Sequence, residues 1–186
     1  GHTIQATYEP KTGALLTQTD PNGQTVTNRY DTLGRLLKVI GPNDTDALPT
    51  LSYASELTTV PIKTTTQARI QSGQTAVLTN YAFVDGLGRT VQTRSPAEDA
   101  TKQIVEGAVE YDARGLVVKR WFTYSSNTSA SYVPLSAESI AATLPSLTYT
   151  YDPMGRVIRV IEPNNATTQT TYSDWVITAI DANGNK

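Results

Sequence analysis

The sequence predicts an all-β fold, an antiparallel ribbon of β-hairpins with one short helix. The motif Asp-x-x-Gly occurs six times in 186 residues, which is a high density of turn signals. The segments between the motifs alternate apolar and polar residues, and they are rich in Thr, Val and Tyr, which favour strands. Short strands joined by tight turns therefore make up most of the predicted chain.

The Asp-x-x-Gly motif has the residues that a hairpin turn needs. Asp at the first position accepts a backbone N–H with its carboxylate, and Gly at the fourth adopts positive φ without a Cβ clash. A turn closed by a left-handed Gly forms a three-residue hairpin loop with a bulge. The residues assigned to structural turns are Asp20, Gly23, Asp31, Gly34, Arg35, Asp85, Gly88, Arg89, Asp112, Gly115, Asp152, Gly155 and Arg156, with a sixth copy at Asp181 and Gly184.

Arginine directly follows three of these turns, and tyrosine directly precedes three of them. In the hairpin register, the Asp lies opposite the Arg four residues on, and an exposed cross-strand pair of this kind contributes about 0.2–1 kcal/mol. Tyr30 is then expected to face Leu36, and Tyr151 to face Val157.

Three copies depart from this pattern and are predicted to be variant turns. Phe83 stands one residue earlier than the tyrosine of other copies, which would place it on the opposite face of the sheet. Arg114 lies inside the turn that begins at Asp112, so the Asp–Arg pair is expected to be lost there. The segment Tyr8–Gly13 has an extra residue and no following Arg.

The predicted elements follow in chain order. Strands over about 14–19, 24–30 and 35–40 form a three-stranded meander, and another hairpin is centred on residues 71–74. Proline-containing segments at 41–44 and 162–165 interrupt strands, and residues 125–131 are predicted to be a polar loop. The helix is predicted over 137–143, with Ser136 as N-cap and Pro145 after its end.

Composition excludes several classes of function. The formal net charge of −2 and the scattered Lys and Arg argue against a nucleic-acid partner. The absence of cysteine excludes disulfides, thiol nucleophiles and Cys-based metal sites. His2 is the single histidine, and once it is discounted as part of a tag, no histidine remains for a Ser-His-Asp triad. No cofactor site is predicted.

The domain prediction treats residues 1–2 as a probable affinity-tag remnant and 3–186 as one segment excised from a longer protein. Gly1-His2 is a common remainder of a cleaved tag. The turn at Asp181 is followed by too few residues for a return strand, which indicates the excision. No apolar run approaches the ~20 residues of a membrane-spanning helix.

Several motifs together resemble the YD repeats of the Rhs family. They fall in the order seen in B-component-like proteins of bacterial ABC-type insecticidal toxin complexes, and the resemblance runs from about Tyr8 to the end of the chain. The motifs are Val84–Gln92, Gly107–Gly115, Val118–Arg120, Tyr151–Arg156 and Tyr172–Trp175 followed by Asp181.

The resemblance implies a non-enzymatic segment of a hollow β shell, a spiralling hairpin ribbon that encloses a toxic polypeptide. In that family the toxic enzyme is a separate C-terminal segment. The implied partners are the remainder of the parent shell and its enclosed toxin, and the implied location is secreted or on the bacterial cell surface.

Other functions remain open from the residues alone. A glycosidase would use Asp85 with Asp112 or Glu110 as its carboxylate pair, although turn capping is the favoured interpretation of both aspartates. A carbohydrate- or cell-surface-binding module would stack sugars on aromatic residues, most densely at Trp121, Phe122 and Tyr124, although ordinary sheet packing is the favoured interpretation of these rings. Calcium at residues 20–23 or 43–46, and self-cleavage at 152–155, are weaker interpretations than ordinary turns.

Overall fold

The computed structural model describes residues 3–138 and 140–186, so the tag assigned to residues 1–2 lies outside it. The described residues form sixteen strands and one short 3-10 helix at Leu135–Ala137, which confirms the all-β class. The strands are β1 Gln5–Tyr8, β2 Leu15–Thr19, β3 Thr25–Tyr30, β4 Leu36–Ile40, β5 Leu51–Glu56, β6 Ile62–Arg69, β7 Val77–Val84, β8 Thr90–Pro96, β9 Lys102–Glu106, β10 Val109–Tyr111, β11 Val117–Trp121, β12 Tyr124–Asn127, β13 Ser146–Tyr151, β14 Val157–Ile161, β15 Thr167–Ser173 and β16 Val176–Ile180.

The chain divides into two compact units between Ala82 and Phe83. In the first unit, strands β1 to β6 pair antiparallel in sequence order, because short turns place each strand beside the one before it. The predicted three-stranded meander is confirmed as β2, β3 and β4. Within the described residues, no helix has the length and apolar character to cross a membrane.

The second unit contains two antiparallel strand sets, β8-β9-β12 and β10-β11-β13-β14-β15-β16. The predicted loop over 125–131 is wrong at its start, since residues 125–127 belong to β12 and pair with β9. Tyr124 and Ser126 are buried while the residues between and after them are exposed, so the segment has the alternation of a strand. Pairing with a neighbouring strand outweighs the weak strand preference of Ser and Asn.

The predicted helix over 137–143 is also wrong in its position and type. The 3-10 helix starts two residues earlier, Ser136 lies inside it, and Pro134 occupies the N-cap without a side-chain cap. Beyond Glu138, the N–H groups of Ala141 and Thr143 each bond to the carbonyl three residues back, which makes successive turns. Ser139, which the prediction included, lies outside the described residues. Seven residues are too few for an α-helix to form without strong packing.

The apolar core lies in the second unit. It consists of Val105, Ala108, Trp121, Tyr124 and Leu135, with Ala141 and Leu144 packed against it. In the described part of the first unit, Ile40 is the one buried apolar side chain, and most other strand residues are half-buried. The first unit is therefore held mainly by its strand ladder and its turns.

Replacement of Gly34 by valine should lower the free energy of unfolding by about 1–3 kcal/mol, because a β-branched residue is forced to positive φ. Gly34 has φ of 79°, and a Cβ there would meet nothing within 4 Å, so strain is the sole cause. The measurement is chemical denaturation of Gly34→Val. Gly86→Val is the control, since Gly86 occupies open space at an ordinary φ. Equal losses in both variants would contradict the turn assignment.

Candidate functional site: the linked hairpin turns

The turn at Asp31 shows how one carboxylate closes a hairpin. Oδ1 of Asp31 accepts the N–H of Leu33 at 2.9 Å and of Arg35 at 2.8 Å, while Oδ2 accepts Nε of Arg35 at 2.6 Å. The backbone completes the loop, since the N–H of Gly34 donates to the carbonyl of Asp31 at 3.0 Å. A single side chain thus satisfies three donors that the turn would otherwise leave to solvent.

The turns at Asp85 and Asp152 repeat this arrangement. Their Oδ2 atoms lie 2.7 Å from Nε of Arg89 and of Arg156, respectively. In both turns, the N–H of the following arginine is the largest influence that holds the aspartate pKa below its ordinary value of 3.8, and the guanidinium lowers it further. These carboxylates are therefore ionised caps at neutral pH.

The prediction that the Asp–Arg pair is lost at Asp112 is wrong. Arg114 folds back from inside the turn, and its Nε and Nη2 lie 3.1 Å and 3.0 Å from Oδ2 of Asp112. The arginine side chain is long enough to reach the carboxylate from two positions away as well as from four. Leu116, which replaces the usual arginine, still donates its backbone N–H to the carboxylate.

The longer turn at Glu9 uses a longer acid. Oε2 of Glu9 accepts the N–H groups of Lys11 at 2.7 Å and Thr12 at 2.8 Å, and Gly13 closes the turn at φ of 71°. The extra methylene of glutamate spans the extra residue of the loop. This variant keeps the capping chemistry of the aspartate turns.

Three tyrosine hydroxyls in the described residues each link one hairpin to a neighbouring one. Each hydroxyl donates to the carbonyl of a residue that lies two positions after a turn glycine, at a register shift of the neighbouring hairpin. The pairs are Tyr30 Oη to Leu15 O at 3.0 Å, Tyr151 Oη to Val117 O at 2.7 Å and Tyr172 Oη to Val157 O at 3.1 Å. The register shifts are at Tyr8 with Leu15, Tyr111 with Val117 and Tyr151 with Val157.

The predicted pairings of Tyr30 with Leu36 and of Tyr151 with Val157 are confirmed by the strand register. The sequence did not indicate the hydroxyl bonds, because their acceptors lie on other hairpins. Phe83, the displaced aromatic, lacks a hydroxyl and is buried, with its ring 5.7 Å from that of Tyr132.

Arginines link three consecutive turns in the second unit. Nη1 of Arg89 donates to the carbonyl of Gly115 at 2.9 Å, and its guanidinium lies 3.7 Å from the ring centroid of Tyr111. Nη1 of Arg114 donates to the carbonyl of Asp152 at 2.9 Å. A Cβ on Gly115 would lie 2.8 Å from Nη1 of Arg89, so a glycine there leaves room for the link.

The carboxylates considered for glycoside hydrolysis do not form a suitable acid pair. Asp85 and Asp112 cap turns, and backbone N–H groups lower the pKa of both. A general acid for this reaction needs a raised pKa. Glu110 lies on β10 opposite Lys119, where its side chain is exposed.

The segments considered for calcium are occupied by contacts within the protein. Asp44 accepts hydrogen bonds from Thr50 and Ser72, and Asp46 pairs with Lys38 and Arg29. Oδ1 of Asp20 caps its own turn. Among residues 3–138 and 140–186, no three His, Cys, Asp or Glu side chains cluster in a way that could hold a metal.

The aromatic cluster proposed for sugar stacking is mostly internal. Trp121 and Tyr124 are each 6% exposed and belong to the core, and only Phe122 presents its ring at the surface. These two rings cannot stack on a sugar while the core is closed.

Comparison with known proteins agrees with the hairpin-repeat class that the turns define. A family model for the RHS Repeat matches residues 11–46, and the model described as Domain of unknown function (DUF6443) matches residues 56–174. The chain therefore belongs to the DUF6443 family. The predicted resemblance to Rhs-type repeats is confirmed. No curated protein was found to match the chain.

Solved structures share the fold. The crystal structure of TcdB2-TccC3 matches with a TM-score of 0.77 at 20% identity, over 97% of this chain and 11% of that chain. The crystal structure of TcdB2-TccC3-Cdc42 matches with a TM-score of 0.76 at 17% identity, over 97% of this chain and 14% of that one. This chain is thus similar to a small part of much longer solved chains.

The variant Tyr151→Phe should lose about 0.5–1.5 kcal/mol of unfolding free energy, since it removes the hydrogen bond to the Val117 carbonyl. Denaturant titration measures the loss. Tyr149→Phe is the matched control on the same strand, because the hydroxyl of Tyr149 takes no part in these couplings. An equal loss in the control would contradict a specific role for the hydroxyl of Tyr151.

The variant Arg89→Lys should lose about 1–2 kcal/mol of unfolding free energy, because lysine cannot hold the carboxylate, the Gly115 carbonyl and the Tyr111 ring together. Arg35→Lys is the control, since Arg35 pairs with Asp31 at an exposed site, and its loss should stay below about 1 kcal/mol. Thermal and denaturant melts compare the two. Equal losses of unfolding free energy in Arg89→Lys and Arg35→Lys would contradict the interpretation that Arg89 links neighbouring turns.

Proposed function

We propose that the chain is a non-enzymatic structural segment of an Rhs-type toxin shell, which encloses a C-terminal toxic polypeptide. The observation that carries the proposal is the coupling of successive hairpins through tyrosine hydroxyls and arginines, within a repeat that resembles the Rhs family. Such links suit a wall, since they reinforce the strand pairing that already joins neighbouring hairpins. The proposed role is to contain a polypeptide, and this role requires no cofactor.

The matched structures support the proposal at the level of fold. One of them is described as TcdB2-TccC3 without its hypervariable C-terminal region, so that protein has a variable segment at its C-terminus. This chain covers 11% to 14% of the solved chains, and the rest of the shell would come from a longer parent protein. Its partners are that remaining shell and the enclosed toxin, and its location is secreted or on the cell surface.

The chemistry of the turns favours a structural role over a catalytic one. Asp31, Asp85 and Asp152 each have their carboxylate oxygens committed to backbone N–H groups and an arginine. An acid held in this way neither donates a proton near neutral pH nor has a free oxygen for attack on a substrate. The repeated acidic residues serve as caps.

Protease protection in the parent protein tests the enclosure. The C-terminal segment should be digested at least tenfold more slowly within the intact parent than when it is expressed alone, because a closed wall excludes the protease. Gel analysis of a trypsin time course with mass spectrometry gives both rates. Parent protein unfolded in urea before digestion is the control and should lose the protection. If the enclosed and the isolated C-terminal segments are digested at the same rate, the proposal is overturned.

A carbohydrate-binding module is the second candidate, and a groove in the second unit favours it. The groove has a volume of about 670 Å³ and is lined in part by Arg159 and Gln169, which offer a guanidinium and an amide, and by Tyr172, whose ring lies 4.2 Å from the Arg156 guanidinium. Guanidinium and amide groups supply the donors and acceptors that sugar hydroxyls can bind.

A glycan array with wild-type protein and the variant Gln169→Ala tests this candidate. Specific binding that falls at least tenfold in the variant would support it, because the amide would supply hydrogen bonds to the sugar. Trp175→Ala is the control, since Trp175 is fully exposed and does not line the groove. Absence of binding in wild type, or equal loss in the control, would exclude the groove as a sugar site.

A further inference from the structure

Two of the hairpin turns contain an Asn-Gly pair, and both have it at the same place. Asn22–Gly23 follows the turn that begins at Asp20, and Asn183–Gly184 follows Asp181, so each pair fills the third and fourth positions of an Asp-x-x-Gly turn. The other seven asparagines of the sequence precede residues that carry a side chain. Because glycine has no Cβ, the backbone nitrogen that follows these two asparagines is the least shielded.

An asparagine side chain loses its amide when this backbone nitrogen attacks it. The nitrogen gives its proton to a base in solution and forms a bond to Cγ of the asparagine, and the side-chain amide leaves as ammonia. One water molecule then opens the cyclic succinimide at either of its carbonyls, which yields aspartate or isoaspartate. Isoaspartate has an additional methylene in the backbone, so a turn that contains it has a longer loop.

Both Asn-Gly pairs are open to solvent. Asn22 and Asn183 are exposed, and so are the glycines that follow them. A Cβ on Gly23 or on Gly184 would meet nothing within 4 Å, so no group from elsewhere in the described chain crowds the glycine. Water and a base therefore reach both sites, and packing does not prevent the reaction.

The hydrogen bonds of the first turn hold the attacking nitrogen in place. The N–H of Gly23 donates to the carbonyl of Asp20 at 3.0 Å, so this nitrogen is engaged while the turn is closed. Oδ1 of Asp20 accepts the N–H groups of Asn22 and Gln24, each at 2.8 Å, which fixes the backbone on both sides of the glycine. Attack on Cγ needs rotation about the Cα–C bond of Asn22, and this rotation moves the glycine N–H away from its acceptor.

The turn at Asp181 repeats this arrangement in the second unit. The N–H of Gly184 donates to the carbonyl of Asp181 at 3.0 Å, and Oδ1 of Asp181 accepts the N–H of Asn183 at 2.9 Å and of Asn185 at 2.8 Å. Oδ2 accepts Nδ2 of Asn185 at 2.8 Å. The chain thus contains two copies of one reactive pair, each held by its own aspartate.

We propose that Asn22 and Asn183 are sites of spontaneous deamidation, and that the aspartate which caps each turn controls the rate. The closed turn withholds the glycine nitrogen, so the rate follows the fraction of time that the turn is open. Once isoaspartate forms, the added methylene makes the loop too long for the carboxylate bonds, and a transient opening becomes permanent. This chemistry goes beyond the proposed shell function and stands whether or not the chain encloses a toxin.

Peptide mapping by mass spectrometry tests the two sites in the full chain, incubated in mildly alkaline buffer. Asn22 and Asn183 should deamidate before the other seven asparagines, and the products should include isoaspartate, which direct hydrolysis of the side-chain amide does not give. The same chain unfolded in urea should react about tenfold faster or more at both sites, because no turn is closed. Earlier reaction at another asparagine, or equal rates in the folded and unfolded chain, would overturn the proposal.

The variant Asp20→Ala tests the control by the cap, with the second turn of the same chain as its internal reference. Loss of two cap bonds should speed deamidation at Asn22 about fivefold or more, while the rate at Asn183 stays within about twofold of wild type. Asp181→Ala should give the reverse result. Asp20→Asn keeps an acceptor oxygen, so its rate should stay near that of wild type. An unchanged rate at Asn22 in Asp20→Ala, or equal acceleration at both asparagines in either alanine variant, would overturn the role of the caps.

Discussion

Backbone pairing between the strands of neighbouring hairpins makes them one sheet, and a tyrosine hydroxyl bonded to a bulge carbonyl adds a side-chain link across three of these pairings. A hairpin bulge leaves one carbonyl outside the regular ladder, and such a group needs a partner. Tyr30, Tyr151 and Tyr172 each supply it from another hairpin. Because an isolated two-stranded hairpin is marginal in water, pairing between hairpins, supplemented by these side-chain links, is what stabilises a sheet with few buried apolar residues.

Arginine adds a second set of links at the same ends of the hairpins. The guanidinium has five donors in a planar fork, so it can bind its own turn carboxylate and still reach a neighbouring carbonyl or ring. Arg89 and Arg114 do this from different positions relative to the turn. The repeat therefore tolerates a shift of the arginine, since its reach and number of donors matter more than its place in the motif.

The two units differ in what holds them. The described part of the first unit relies on its strand ladder and capped turns, with Ile40 as its buried apolar residue. The second unit has an apolar core, and its buried Arg94 on β8 pairs with Glu138 rather than with a turn aspartate. Removal of either Arg94 or Glu138 alone would leave the other charge buried and uncompensated, so each residue depends on the other.

The sequence by itself determined the all-β class, the Asp-x-x-Gly turns and the register of Tyr30 with Leu36, because these depend on contacts between residues a few positions apart. Tertiary structure alone decided the rest. Ser125 to Asn127 became a strand because β9 lies beside them. The predicted helix over 137–143 gave way to turns that follow Glu138, which pairs with Arg94 of β8. Trp121 lies in the core, as the favoured packing interpretation of its cluster predicted, but the residues it packs against are distant in sequence. Such outcomes depend on partners that are distant along the chain, and local propensity does not specify those partners.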